Sequence, residues 1–325
     1  MYLIKNTNTN PYFNLALEQY LLESFNHDCI TLWRNSKTVV VGRNQNTSAE
    51  INRDYTNIHK IAVVRRLTGG GAVFHDSGNV NYTVISSDTS QFNNYSFFTD
   101  DLIGFLSSLG ISANLSGRND IECDGVKISG NAQCIHKNRL MHHGCILFDS
   151  DLKTLIGCLN VKREKFEDKA VKSISSRVVN ISSLMQKKIS TNQFVAMFEE
   201  YLLKKRLGWG VYKLTENDIE NVNALVIEKY NTYEWNYGNS PQYNYSNKIK
   251  CRAGIIEVYI NAEQGVINKI KISGDFFGKR SISELEDLIM GILHDKYRIN
   301  NALSDIDITE YITGISKDEL VAVLV

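Results

Sequence analysis

The pair Asp124-Gly125 stands between two β-prone runs, Ile121-Glu122-Cys123 and Val126-Lys127-Ile128, and restricts the fold more than any other short stretch of the chain. Asp-Gly supplies both central residues of a tight turn whose twist matches the strands it joins, so this segment predicts a hairpin rather than a crossover. Short β runs are read at residues 30–33, 38–42, 61–66 and 144–148. Residues 79–84, Asn-Val-Asn-Tyr-Thr-Val, alternate polar and apolar, the pattern of a half-buried strand. Helical spacing of apolar residues appears over 12–25, 97–109, 191–207 and 215–230. Strands outnumber long helices in the first part, and hairpins dominate. The expected class is therefore α+β, a mixed or antiparallel sheet with flanking helices, and not a doubly wound fold.

At 325 residues the chain is long enough for two domains. A turn-rich run over 236–244 holds Pro241, one of two prolines, and precedes strand-like runs at 254–260 and 266–272 joined by Gln264-Gly265. Short helices are read at 281–292, 299–304 and 315–323. The boundary is placed near 245, giving a domain of residues 1–244 and a smaller α+β domain of 245–325. Lys and Arg total 36, as do Asp and Glu, so the basic surplus of a general nucleic-acid binder is absent. Neither a signal-peptide pattern nor an apolar run of about 18 residues is present. The six cysteines show no metal-ligand spacing and are read as reduced thiols. The expected setting is the cytoplasm, without membrane or nucleic-acid partners.

Two constellations carry the chemistry. In Arg65-Arg66-Leu67-Thr68-Gly69-Gly70-Gly71-Ala72-Val73-Phe74-His75-Asp76, adjacent glycines let main-chain N–H groups approach a ligand, and two arginines supply forked donors for an anion. A strand–glycine–strand turn with no ligand is the other reading. No Gly-Lys-Ser/Thr follows, so this is not a Walker loop. The second constellation is Gly117-Arg118-Asn119-Asp120 with Lys127-Ile128-Ser129-Gly130-Asn131-Ala132-Gln133. Strand alternation predicts Lys127, Ser129, Asn131 and Gln133 on one face and Ile128, Ala132 and Cys134 on the core face. That polar row lines a cleft or forms a solvated exterior. Asp120 is the candidate magnesium ligand, because Mg²⁺ takes one or two carboxylates plus phosphate oxygens. His142 and His143 are adjacent, point to opposite faces and are read as structural or hydrogen-bonding.

Residues 65–76, the pair 117–121 (GRNDI) and 127–133 (KISGNAQ) resemble the lipoate-protein ligase family. Supporting matches include Pro11-Tyr12-Phe13-Asn14-Leu15-Ala16 with Glu18, Trp33-Arg34-Asn35, residues 41–46 (VGRNQN), His142-His143-Gly144, Lys172-Ser173 with Ser176-Arg177-Val178, and residues 234–238. The resemblance spans essentially the whole chain. It implies a catalytic domain with the biotin-ligase-like fold and a small carboxy-terminal accessory domain. It also implies an ATP-dependent activation of lipoate to lipoyl-AMP with release of pyrophosphate. The acyl group then passes to a lysine of a lipoyl domain, such as that of a 2-oxoacid dehydrogenase E2 subunit, or of the glycine-cleavage H protein. On the same basis Lys127 is the catalytic residue, and Arg66, Gly71, Ala72, Val73, Phe74, Asn119, Asp120 and Lys127 bind ATP or the adenylate. Gly70, Gly71, Val73, Phe74, His75 and Lys127 contact lipoate, and Asp120 holds Mg²⁺. The accessory domain is expected to turn between the two half-reactions about a hinge at 236–246.

Cys134 stands where some members have arginine. Ser112 occupies the position at which the related octanoyltransferases carry their acyl-accepting cysteine, which disfavours ATP-independent transfer from a thioester. That transfer, and a non-catalytic lipoate- or carrier-binding module, are the alternatives.

Overall fold

The computed structural model describes residues 1–158, 177–237, 245–263 and 265–325. Lys172, Ser173 and Ser176 lie outside these, as do most of the turn-rich 236–246 segment and Gln264.

The strands are β1 (Tyr2–Lys5), β2 (Cys29–Trp33), β3 (Thr38–Val41), β4 (Ala62–Arg65), β5 (Val73–His75), β6 (Asn79–Ser86), β7 (Asn114–Ser116), β8 (Asp120–Cys123), β9 (Val126–His136), β10 (Arg139–Leu147), β11 (Gly210–Lys213), β12 (Tyr245–Cys251), β13 (Gly254–Glu263) and β14 (Val266–Gly274). The longer helices are α1 (Pro11–Glu23), α2 (Tyr95–Ser108), α3 (Thr191–Lys205), α4 (Glu216–Leu225), α5 (Ile282–Ile289) and α6 (Lys317–Leu324). Among the described residues no helix is long and apolar enough to cross a membrane.

By contact density the chain forms two compact units interleaved in sequence: Met1–Val40, Ile51–Val64 and Val73–Thr232 in one, and Val41–Glu50, Arg65–Ala72 and Tyr233–Val325 in the other.

In the first unit an eight-stranded sheet runs β11-β1-β2-β6-β10-β9-β8-β7. Strands β11, β1 and β2 are parallel, and the remaining pairings are antiparallel, as expected for a mixed sheet. The predicted hairpin is present between β8 and β9, with Asp124 at φ 50 and Gly125 at φ 75, both in the left-handed region that such a turn requires. One sheet face packs on α2 and α3, whose Phe98, Leu102, Phe105, Phe194, Phe198 and Leu202 join Tyr82, Ile121, Ile128 and Ile146 in one core. The Phe105 and Phe198 rings stack at 4.7 Å. The opposite face carries α1, begun by Asn10, whose side chain caps the Tyr12 and Phe13 N–H groups, and by Pro11 at the first turn.

Because helices cover both faces, β6 is buried along its whole length rather than half-buried. Its polar residues face protein partners instead: Asn79 donates to the Ile146 carbonyl and Thr83 to Glu18. Burial without a partner would be unfavourable for such groups, so the polar row is bonded within the protein where alternation predicted an open face.

In the second unit β12-β13-β14 form an antiparallel sheet. Its buried face, with Ile256, Val258, Ile260, Ile270 and Ile272, packs with Leu285 and Ile289 of α5 and Leu320 and Leu324 of α6. Strand β12 escaped sequence reading because Ser246, Asn247, Lys248 and Lys250 mask its apolar alternation. Arg65 explains why distant segments cohere here. Its guanidinium, 1% exposed, donates to the Gly42, Arg43 and Gln45 carbonyls, to Thr47 Oγ1, and to the Trp235 and Asn236 carbonyls. All three segments of the unit thus meet on one side chain.

Candidate active site

Chemistry-bearing residues of the first unit gather on the sheet face that carries α1. A register shift between β8 and β9 decides which residues belong to it. Ile121 pairs with Ser129, but the next residue, Glu122, pairs with Lys127, so β9 bulges by one residue at Ile128. Alternation is broken there, and the predicted row divides. Ser129 takes the face of its partner Ile121, and Asn131 and Gln133 also point into the α2–α3 core. There the Tyr82 hydroxyl donates to Asn131 and Gln133 meets His142 at 3.0 Å. Lys127 takes the other face, together with Asp120, Gly130, Ala132 and Cys134. Its ammonium lies 2.8 Å from Asp120 Oδ1, with side chains 35% and 33% exposed, and is reachable by a ligand.

The main chain of Lys127 is held on its second edge as well. Its N–H donates to the Arg177 carbonyl at 2.9 Å, and its carbonyl accepts from Val179 at 3.0 Å. Asn119 is used locally: its carbonyl accepts from the Asn131 main chain at 2.9 Å, and its amide donates back to the Asn131 carbonyl. This clamps the turn that presents Asp120.

Further along the same face lies a buried polar network that residue patterns did not assign. Glu18, 2% exposed on α1, accepts from Thr83 Oγ1 at 2.6 Å and meets His143 Nδ1 at 2.7 Å, while Trp33 Nε1 donates to Thr83 at 2.8 Å. The signal was available: an acid amid the apolar residues of a buried helix needs a partner. His75 on β5 stands edge-on to Trp33, with the Asn35 amide at 3.1 Å and the Asn81 amide at 3.4 Å from Nδ1. Phe74 is buried beside it, and Val73 is half-buried. The two histidines separate as expected. His142 stacks on Phe98 in the core, and burial, then the neighbouring His143, keep it neutral by holding its pKa well below the usual value.

The glycine turn belongs to the second unit. Arg66 encircles it: Nε donates to Thr68 Oγ1 at 3.0 Å, and Nη2 to the Gly69 and Gly71 carbonyls at 2.7 and 2.9 Å. The three glycines differ in what surrounds them. A Cβ on Gly69 would meet the Phe276 carbonyl oxygen at 2.1 Å, Gly70 has φ 94, and a Cβ on Gly71 would meet nothing within 4 Å. Gly71 and the half-buried Ala72 are therefore the part of the turn open to a ligand. The expectation that both arginines serve an anion fails for Arg65. Its donors are occupied by carbonyls, and burial, then the Arg66 charge, lower its pKa to about 10.

For a metal ion, the described residues offer no group of three or more His, Cys, Asp or Glu side chains. Asp120 is a single carboxylate with an ammonium on one oxygen. It fits an ion that arrives on phosphate oxygens, not one held by the protein alone.

A model of the lipoyl protein ligase A/B catalytic domain matches residues 10–203, and one of the bacterial lipoate protein ligase C-terminus matches residues 240–324. The chain belongs to the lipoate-protein ligase family. Lipoate–protein ligase 1 of Staphylococcus aureus is 38% identical, with 100% of each chain covered, and lipoate-protein ligase LplJ of Bacillus subtilis is 39% identical over 98% of each. Among solved structures, a bipartite lipoate protein ligase of Thermoplasma acidophilum, studied with its E2 lipoyl domain, has a TM-score of 0.67 at 27% identity. It covers 74% of this chain and 97% of that one. LipL1 of P. falciparum, crystallised with lipoate, shares the fold at a TM-score of 0.77 and 24% identity, over 94% of each chain. The family's α+β architecture is the one described above.

Proposed function

We propose that this chain is an ATP-dependent lipoate-protein ligase that works through an acyl-adenylate. A carboxylate oxygen of lipoate or octanoate attacks the α-phosphorus of ATP, the bond to the β-phosphate breaks, and pyrophosphate leaves. A carrier lysine amine then attacks the acyl carbonyl, loses a proton and expels AMP. The similarity along the full chain supports this, and the observation that carries it to a residue is the reachable, ion-paired ammonium of Lys127.

In this reading Lys127 is the catalytic residue. A fixed ammonium offsets the repulsion between carboxylate and phosphate and stabilises charge that grows in the transition state. Arg66, Gly71 and Ala72 take the nucleotide, with Arg66 exchanging carbonyl partners for phosphate oxygens. Gly70, Gly71, Val73, Phe74 and His75 meet the acyl group, and Asn119 and Asp120 attend the phosphates. Magnesium, when bound to those phosphates, would supply further charge neutralisation, with Asp120 as the residue holding it. The proposed acceptors are lipoyl domains of 2-oxoacid dehydrogenase E2 subunits and the glycine-cleavage H protein. The proposed compartment is the cytoplasm, where Cys29, Cys123, Cys134, Cys145, Cys158 and Cys251, none of them in a disulfide, remain reduced.

The test is pyrophosphate release on mixing the protein with lipoate and ATP, followed by the mass of a carrier domain with and without ATP. Wild-type protein is expected to release pyrophosphate and to lipoylate only with ATP. Lys127→Ala is expected to fold and to lose about 10²–10³-fold in adenylation rate. Efficient acyl transfer from a carrier thioester without ATP would overturn the reading.

A further inference from the structure

Glycine stands at position 130 for a reason that its own backbone does not supply. Its φ lies outside the left-handed region, so alanine is allowed there. Glycine inside a strand weakens it, and is expected where something must approach the backbone closely. The missing side chain instead leaves room above the sheet. A Cβ at 130 would fall 2.9 Å from Lys127 Nζ, 3.1 Å from Lys127 Cε and 3.7 Å from Asp120 Oδ1. The lysine side chain lies along its own strand, with its ammonium resting over Gly130. The bulge at Ile128 makes this geometry available, because it puts two residues three apart on the same face. Asp120, registered directly opposite Gly130, closes the seat with its carboxylate 2.8 Å from the ammonium. Without the bulge, Lys127 would point into the α2–α3 core.

We propose that Gly130 is a positioning residue for adenylation: its bare backbone is the seat that holds the Lys127 ammonium against the sheet at the height of Asp120. This rests on the reading of Lys127 as the group acting at the α-phosphorus. The atoms that an alanine methyl would strike are the far end of a flexible side chain and not backbone. The substitution therefore spares the fold and moves the ammonium, which separates positioning from architecture.

The experiment compares the full-length wild type with Gly130→Ala, Lys127→Ala and the double variant. Gly130→Ala is expected to melt within a few degrees of wild type. Its kcat for pyrophosphate release from lipoate and ATP is expected to fall about 10- to 100-fold, with KM for ATP changed less than about threefold, the pattern of a displaced transition-state contact. The double variant is expected to be no slower than Lys127→Ala, because a residue acting through Lys127 has nothing left to position. Wild-type turnover in folded Gly130→Ala would overturn the proposal. So would a loss of the same factor in the Lys127→Ala background. A crystal structure of Gly130→Ala decides the matter without turnover: Lys127 Nζ is expected to leave Asp120, and an unchanged 2.8 Å pair would overturn the seat. Wild-type protein that releases no pyrophosphate counts against the ligase reading alone, and the crystal structure still judges the seat.

Discussion

Arg65 and Arg66 are neighbours in sequence with the same side chain, yet their surroundings give them different tasks. Arg65 is sealed among carbonyl oxygens and acts as a hydrogen-bonded cross-link for its unit, whereas Arg66 holds the glycine turn. Arg65→Lys is expected to cost about 2–4 kcal/mol, since one ammonium cannot reach the acceptors that a planar fork reaches and buried carbonyls lose their donors. Urea unfolding monitored by circular dichroism measures it, and a change within error would refute the cross-link. At His142 the sign of a pH effect follows from burial. The folded imidazole titrates well below its ordinary value, so only the unfolded chain takes up that proton as pH falls below about 6.5. Stability contributed by neutral His142 is full above that pH and declines below it, down to the folded pKa. Unfolding midpoints between pH 7 and pH 5 are expected to fall for wild type and to fall less steeply for His142→Gln.

At the scale of elements, α1, β11 and the start of α4 meet on one carboxylate. Asp218 accepts from the Tyr20 hydroxyl at 2.5 Å, from Tyr212 at 2.8 Å, and from the Thr215 main chain and hydroxyl in the capping box of α4. Burial opposes its charge, but these donors prevail and hold the carboxyl below its usual range. Its contribution is therefore present above about pH 4 and lost as pH falls through the lowered value. Asp218→Asn is expected to destabilise by about 1–3 kcal/mol at pH 7, with a difference from wild type that shrinks at acid pH. A constant difference from pH 7 to pH 3 would contradict this. Sequence patterns located most of these elements from helical spacing and turn residues, including the Asp124-Gly125 hairpin. The bulge in β9 was not legible, because an inserted residue leaves no compositional mark and alternation arguments assume that none is present.

For the whole molecule, interleaving matters more than any boundary. Segments 41–50 and 65–72 lie far from 233–325 in sequence yet pack in the same unit, where the Gly274 N–H donates to the Asn44 carbonyl and Gly69 lies against the Phe276 carbonyl. A protein truncated after residue 244 would leave the glycine turn without those neighbours. Faster hydrogen exchange at the Gly69–Gly71 amides and a large loss of adenylation are expected in that fragment. Unchanged exchange there would show that the turn stands without the carboxy-terminal strands.

The amino-acid order alone determined the α+β class, the two motif-bearing turns and the family, because turn chemistry, hydrophobic period and glycine clusters act within a few residues of one another. Tertiary structure decided which arginine is sealed among carbonyl oxygens, which polar row is dry, and to which face of β9 the Lys127 ammonium turns. Those depend on what covers each surface and on the register of neighbouring strands, set by contacts between residues far apart in the chain.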